Sequence, residues 1–389
     1  MYFLLLLIAI LGYLVTEKVL HDRRLGRIRI RIHVNGTRGK SSVTELIAGA
    51  LRRSGVRTLA KTTGTVPQLI LPDGTRQTLR RRGPANIIEQ VRIIRRADKL
   101  AVEAIVLECM ALDPVLQHVS EAKMLRSTIG VITNVRPDHF EVMGSDLDQV
   151  AESLSCSIPG QAVLVTGDAR YFPFLSSAAA RKDTKAFLAG VEESLPTQEQ
   201  PQDPIVRENL AIARCVITVL GLKPQSVDSS LAGGVPPSDN RMTSDRSIGG
   251  KSICFVDAFS ANDIVSTRIV WDWARGERHC PGPSVVLFNN RADRPLRMQS
   301  FAAYLREEDQ FEFIGIVGEA AGLAAKCFGQ RSGRKRVVPL SGNTAEAVLE
   351  QLVRIVPDSR LTVVGMGNEK GMGRELSRYF REGSRDAPR

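Results

Sequence analysis

Aromatic residues are scarce in this chain, 5% of 389, and no basic stretch interleaves with them. Stacking recognition of single-stranded nucleic acid needs both features, so nucleic acid is not an expected partner. Cysteine is equally thin. Cys109, Cys156, Cys215, Cys254, Cys280 and Cys327 stand far apart with no Cys-x-x-Cys, which argues against a structural zinc site and agrees with a reducing compartment. Carboxylates are outnumbered, 42 Asp and Glu against 53 Lys and Arg, leaving a net charge of +11. A surface of that sign suits anionic partners.

Charge is absent altogether from Tyr2 to Val15, thirteen apolar residues and one glycine, and the first charged side chain is Glu17. The run is short for an upright span, which needs about 20 residues, although Val19 and Leu20 extend it. It lacks the positive charge before it and the small-residue cleavage site after it that mark a signal peptide, so an uncleaved anchor over residues 1–24 is expected. A buried core helix is the competing reading. Arg23, Arg24, Arg27, Arg29 and Arg31 follow at once, and the excess of positive charge places the remainder on the cytoplasmic side of the cell membrane.

The most informative stretch comes next. Ile28, Ile30, Ile32 and Val34 alternate as a strand, Gly36-Thr37-Arg38-Gly39-Lys40-Ser41-Ser42 breaks it, and Val43 to Leu51 is apolar at helical spacing. A glycine turn between strand and helix aims backbone N–H groups and the positive helix end at one point, which favours nucleotide phosphates. Lys40 would reach the phosphates and Ser41 would offer a hydroxyl to magnesium. The loop is a shortened form, since Val34 occupies the place of the usual first glycine.

Later runs supply further strand ends. Ala104 to Leu107 is continuously apolar and ends in Glu108, a carboxylate where open α/β sheets collect ligands and so a candidate magnesium ligand. Thr128 to Asn134 repeats the pattern, with Asp138 and His139 just beyond, where His139 would ligate metal. Thr63, after the strand Arg57 to Lys61, sits either at a ligand edge or in a plain turn. Arg76 to Lys99 is rich in arginine; it reads chiefly as a solvated helix face, with Arg80, Arg81 and Arg82 as an alternative contact for a polyanion. Glu208 to Leu220 is a helix, and Gly233 to Pro237 a linker that sets a boundary near 238. Strands at 252–257, 284–289, 313–317, 336–339 and 361–365 then imply a second doubly wound sheet. The expected architecture is α/β: an anchor (1–24), a P-loop domain with a parallel sheet (25–237) and a smaller Rossmann-like domain (238–389).

The loop, Leu107-Glu108 and Ile132-Thr-Asn-Val-Arg-Pro-Asp-His139, in this order, resemble the ATPase core of the Mur ligase superfamily, ATP-dependent amide ligases that include folylpolyglutamate synthetase. Asn240-Arg241-Met242 resembles the segment whose arginine contacts ATP phosphates. Phe255 to Asn262 resembles the segment whose aspartate and asparagine approach the nucleotide and the catalytic centre. The resemblance implies ATP and Mg2+ as cofactors. Asn35, Gly36, Thr37, Arg38, Gly39, Lys40, Ser41, Ser42, Asn134, Arg241 and Asp257 would bind the nucleotide, and Ser41, Glu108 and His139 the metal. Lys40, His139, Arg241 and Asn262 would be catalytic, Arg241 joining on domain closure. Asn209 also matches a position near the nucleotide, with a surface cap as the alternative.

Two departures narrow the resemblance. The loop follows the apolar segment almost directly, leaving no room for a UDP-sugar-binding domain, and no lysine lies between His139 and Lys182 where the family carries a modified one. With the anchor and the strings 287–295 and 365–373, the chain is most similar to the ligase subunits of poly-γ-glutamate synthases. That implies glutamate and poly-γ-glutamate as substrates, further membrane subunits for export, and a homo-oligomer. A membrane-anchored ATPase or kinase, or a nucleotide-switched assembly protein, remains the alternative. Asn289, Asn290, Arg291, Asp293 and Arg294 end one strand of the second sheet, either as an amino-acid site or as a salt-bridged loop.

Overall fold

The computed structural model describes residues 2–64, 67–79, 81, 83, 86–138, 140–190, 204–227, 243–278, 282–331 and 335–383. The chain folds as two compact units, Met1–Gln200 with Val206–Val235, and Pro201–Ile205 with Pro236–Arg389. Most of the 192–204 loop and all of the 233–237 linker lie outside the described residues.

The first unit opens with α1 (Tyr2–Arg27), which outruns the apolar stretch. Tyr2 to Thr16 are exposed, and the helix is long and apolar enough to cross a membrane. Its last two turns are docked. His21 Nε2 lies 2.7 Å from Met124 O, Asp22 pairs with Arg126 at 2.6 Å, and Leu25 is buried. Then follow β1 (Ile30–Asn35), α2 (Lys40–Arg53), β2 (Thr58–Thr62), β3 (Gln68–Ile70), β4 (Arg76–Thr78), α3 (Glu89–Lys99) and β5 (Ala104–Glu108). α4 (Pro114–Val119) continues into a π-helical turn, Ser120–Leu125, before β6 (Ile129–Ile132). α5 (Phe140–Met143), α6 (Leu147–Ser155), β7 (Val163–Thr166), α7 (Phe172–Ala180), β8 (Lys185–Leu188) and α8 (Pro204–Val219) come last.

The eight strands lie in the order β4-β3-β2-β5-β1-β6-β7-β8, parallel from β2 to β8. The sheet is covered on both faces because successive residues of its strands point opposite ways. Ala104 and Val106 pack with Val43, Ile47 and Ile212 of α2 and α8, while Ile105 and Leu107 pack with Ile93, Ile94 and Ala97 of α3 and with Leu25 of α1. The antiparallel extension β2-β3-β4 corrects the start of the segment Arg76 to Lys99, which reads chiefly as a helix face. Arg76–Thr78 pairs as a fully exposed edge strand, and the helix begins only at Glu89.

The second unit contains β9 (Thr243–Ile248), β10 (Lys251–Asp257), α9 (Ile264–Arg278), β11 (Ser284–Asn290), α10 (Pro295–Glu307), β12 (Phe311–Gly318), α11 (Ala321–Arg331), β13 (Arg336–Pro339), α12 (Ala345–Ile355), β14 (Arg360–Gly367) and α13 (Met372–Gly383). Strand order is β13-β12-β11-β14-β10-β9, with β9 alone antiparallel. Val286 and Phe288 join the apolar layer of one face, Val285 and Leu287 that of the other, so helices cover both sides. The five expected strands are present and β9 is added. Its outward Asp245 and its Arg246 break the apolar pattern that identified the others.

Candidate active site

β1 lies at the centre of the first sheet between β5 and β6, so the loop after β1 meets Glu108 and Asn134 at one edge. Both loop glycines are required. A Cβ on Gly36, at φ +124°, would lie 2.1 Å from Thr133 Oγ1, and one on Gly39, at φ +79°, would lie 2.3 Å from Asn209 Oδ1. Each position combines the left-handed region with a gap too narrow for a side chain. Gly39 caps α2 without any side-chain hydrogen bond, and the first turn holds no acidic residue. The helix start therefore keeps donors and positive dipole available to an anion.

The segment after β6 fixes the loop's shape. Thr37 N and Thr37 Oγ1 donate to Asn134 O at 3.0 and 2.9 Å, Arg38 N donates to Asn134 Oδ1 at 3.0 Å, and Thr133 Oγ1 donates to Arg38 O at 2.6 Å. Asn134 thus grips the loop backbone. Asn35 turns its amide into the core, donating to Gln117 Oε1 at 2.7 Å and Ser157 Oγ at 3.0 Å, so its side chain serves the loop's base. Arg38 pairs with Asp138 at 3.3 Å.

Lys40 folds back over the loop, its Nζ donating to Gly36 O at 2.7 Å and Thr37 O at 3.3 Å. Burial pulls this ammonium below its ordinary range against the opposing field of Glu108 and Asp138. Ser41 Oγ donates to Glu108 Oε2 at 2.7 Å, and Thr63 N donates to the same oxygen at 2.6 Å, so Thr63 stands at the same sheet edge as the loop. Ser42 is exposed on the first turn. His139 and Arg241 lie outside the described residues, and among those described no three His, Cys, Asp or Glu side chains gather into a metal site. The hydroxyl and carboxylate of Ser41 and Glu108 are the oxygen donors that a hard cation takes. Asn209 Oδ1 is buried against Gly39 with no hydrogen-bond partner among the described residues. These features fit magnesium and a phosphate-bearing nucleotide.

A surrounding ring escaped sequence reasoning. Arg136 pairs with Glu208 at 2.6 Å, with burial pushing the Glu208 carboxyl upward. Asp168 accepts from Val135 N at 2.8 Å and Tyr171 N at 2.9 Å. The Arg136–Glu208 and Val135–Asp168 partners are tens of residues apart, which no local pattern discloses.

In the second unit, Asn262 occupies the left-handed region at φ +57° and accepts from Arg297 Nη1 at 3.0 Å. Arg297 also donates to Asn368 Oδ1, and Asn368 Nδ2 donates to Asn289 O at 3.0 Å, so β11 and β14 ends are tied to Asn262. Arg297 was not singled out in the sequence. Burial raises the Asp257 carboxyl, while Ser377 and Arg381 of α13 hold it back. Asn290 Nδ2 donates to Glu319 O at 2.7 Å and Arg291 pairs with Asp293 at 2.5 Å, the internally bonded form of that loop.

Comparisons with known proteins agree with this geometry. The family described as Mur ligase middle domain matches residues 34–202, and the poly-gamma-glutamate synthase CapB C-terminal domain matches residues 244–383. The capsule biosynthesis protein CapB of Bacillus anthracis is 33% identical over 325 residues, covering 81% of this chain and 69% of its own. The PGA synthase CapB of Bacillus subtilis is 29% identical over 375 residues, covering 95% and 94%. Among solved structures, MurF of Acinetobacter baumannii has a TM-score of 0.62 at 15% identity, covering 93% of this chain and 79% of its own. A bifunctional folylpolyglutamate synthase/dihydrofolate synthase of Yersinia pestis, complexed with AMPPNP and a Mn ion, has a TM-score of 0.62 at 14% identity, covering 94% and 92%. The fold is therefore that of the Mur ligases. The chain belongs to the CapB family of poly-γ-glutamate synthases.

Proposed function

We propose that this chain is an ATP-dependent amide ligase of poly-γ-glutamate synthesis. A γ-carboxylate oxygen of glutamate, or of a growing chain, attacks the γ-phosphorus of ATP, and the bond to the bridging oxygen breaks to release ADP. A glutamate amine then attacks the acyl carbon, phosphate leaves, and the amine loses a proton as the amide forms. The observation that carries the reading is the meeting of Lys40, Ser41 and Glu108 at an uncapped helix start, within a chain of the CapB family.

In this reading the backbone from Gly36 to Ser42 holds the phosphates, and Lys40 exchanges the Gly36 and Thr37 carbonyls for phosphate oxygens. Ser41 and Glu108 would hold magnesium, with His139 as third protein ligand; the ion would offset charge on the phosphoryl group and orient it. Asn209 would give its unpaired Oδ1 to a donor on the nucleotide or its hydration shell. Asn262 and Asp257 would act from the second unit, and Arg241 would contact the phosphates. The exposed part of α1 would anchor the enzyme in the cell membrane with its catalytic units in the cytoplasm. Homo-oligomerisation and other membrane subunits serving export complete the proposal.

The test is release of ADP from ATP and magnesium by membrane-extracted protein, with and without glutamate or its γ-linked oligomers, in wild type and Lys40→Ala. Glutamate-dependent release with new γ-amide, reduced about a hundredfold or more by the substitution, is expected. Release indifferent to every glutamate species would instead support an ATPase or kinase.

A further inference from the structure

On the α3 face of the same sheet, beside β3 and β4, a cavity of about 610 Å³ opens in the first unit. Its volume lies within the range of small-molecule sites. Ile93 and Leu79 supply apolar wall, and Arg81, Arg92 and Arg96 supply positive charge, with Glu89 as the one carboxylate among the described lining residues. Glu89, Arg92, Ile93 and Arg96 share a helix face because they stand at offsets of three, four and seven.

That carboxylate is already shared. Arg81 donates to Oε2 through Nε at 2.8 Å and to Oε1 through Nη2 at 3.2 Å, and Lys61 Nζ shares Oε1 at 2.7 Å. Lys61 is fully buried at the end of β2, a costly place for a cation, and it also makes a weak contact to Met110 Sδ at 3.7 Å. Two cations on one carboxylate leave the inner wall positive. Behind Glu89, β2 runs on to the loop site: Lys61 pairs in register with Leu107, the residue before Glu108, and Thr63, two residues on, donates to Glu108 Oε2 at 2.6 Å.

We propose that this cavity holds the carboxylates of the γ-glutamyl chain being elongated, with Arg92 and Arg96 as its outer contacts and the Lys61–Arg81–Glu89 cluster at the end nearest Glu108. Guanidinium forks match carboxylates, and the apolar wall suits the methylenes between them. A lipid headgroup would meet the same charges. The strand whose Lys61 pairs with Glu89 of this wall also donates to Glu108 through Thr63 N, a tie to the loop site that a chain whose terminal carboxylate must reach the phosphates requires and a headgroup does not. The inference rests on the ligase reading.

The test uses the full chain in detergent or membranes, with a short γ-linked glutamate oligomer as probe, and the variants Arg92→Glu and Arg96→Gln. Two quantities are measured: KM for the oligomer under turnover with ATP, and oligomer Kd without ATP. Arg92→Glu should raise both about tenfold, the scale of one lost charge-assisted contact, and leave KM for ATP unchanged. Glutamate-dependent turnover in wild type with oligomer KM and Kd unchanged in both variants would overturn this inference alone. Absence of any glutamate-dependent turnover would overturn the ligase reading, while oligomer Kd would still decide the cavity. Weakened binding to phosphatidylglycerol vesicles with unchanged oligomer Kd would make this a lipid site and also overturn it.

Discussion

His33 and Lys40 are two cationic side chains placed close to one loop, and the protein treats them oppositely. Lys40 is drawn below its ordinary range by burial and stays on the loop, at the carbonyls of Gly36 and Thr37. His33 points to the other face of β1, where Nδ1 meets Glu121 Oε2 at 2.8 Å. Burial alone would lower the imidazole, but the Cys109 sulfur and the Glu121 carboxylate push it up to about 10. The folded state then keeps a proton that the unfolded chain, with an ordinary value of 6.5, releases. The contribution is complete below that value and is lost as pH rises toward about 10, with a slope approaching about 1.4 kcal/mol per unit. Unfolding free energy should therefore fall between about pH 7 and about pH 9, and His33→Gln should flatten the fall. Equal slopes in the two proteins, by denaturant titration, would show that His33 does not carry it.

At this scale the sequence discloses residues whose roles follow from their own neighbours. Gly36 and Gly39 flank a strand-to-helix turn, and Glu108 ends an apolar run. Lys61 with Glu89, Arg136 with Glu208, and Arg297 with Asn262 and Asn368 could not be found that way. Their partners are assembled by the sheet order, and one chain without its fold does not contain that information.

Among the elements, α1 combines two behaviours. Its residues from Tyr2 to Leu20 would extend about 28 Å at about 1.5 Å each, close to the hydrocarbon thickness of about 30 Å. Its last turns belong to the catalytic unit through His21, Asp22 and Leu25, while Glu17 pairs with Arg95 of α3 at 3.0 Å. Deleting residues 2–20 should move the protein from the membrane pellet to the soluble fraction and keep its far-ultraviolet circular dichroism apart from the lost helix. Retention in the pellet by folded protein would assign membrane attachment to another element. Buried strands were legible because both faces need apolar residues, whereas β3, β4, β8 and β9 are short, half-exposed or charged and carry no such run.

For the whole molecule, two doubly wound sheets follow from the alternation of apolar runs and helices, and membership of the CapB family is the ground of the proposed chemistry. The central claim is that ATP phosphorylates a γ-carboxylate before the amide forms. The most direct measurement supplies wild-type protein with ATP, magnesium and a γ-glutamyl acceptor labelled with heavy oxygen in its γ-carboxylate, then analyses the released phosphate by mass spectrometry. Acyl-phosphate chemistry transfers one labelled oxygen to phosphate for each amide formed. Amide formation with wholly unlabelled phosphate would contradict the account.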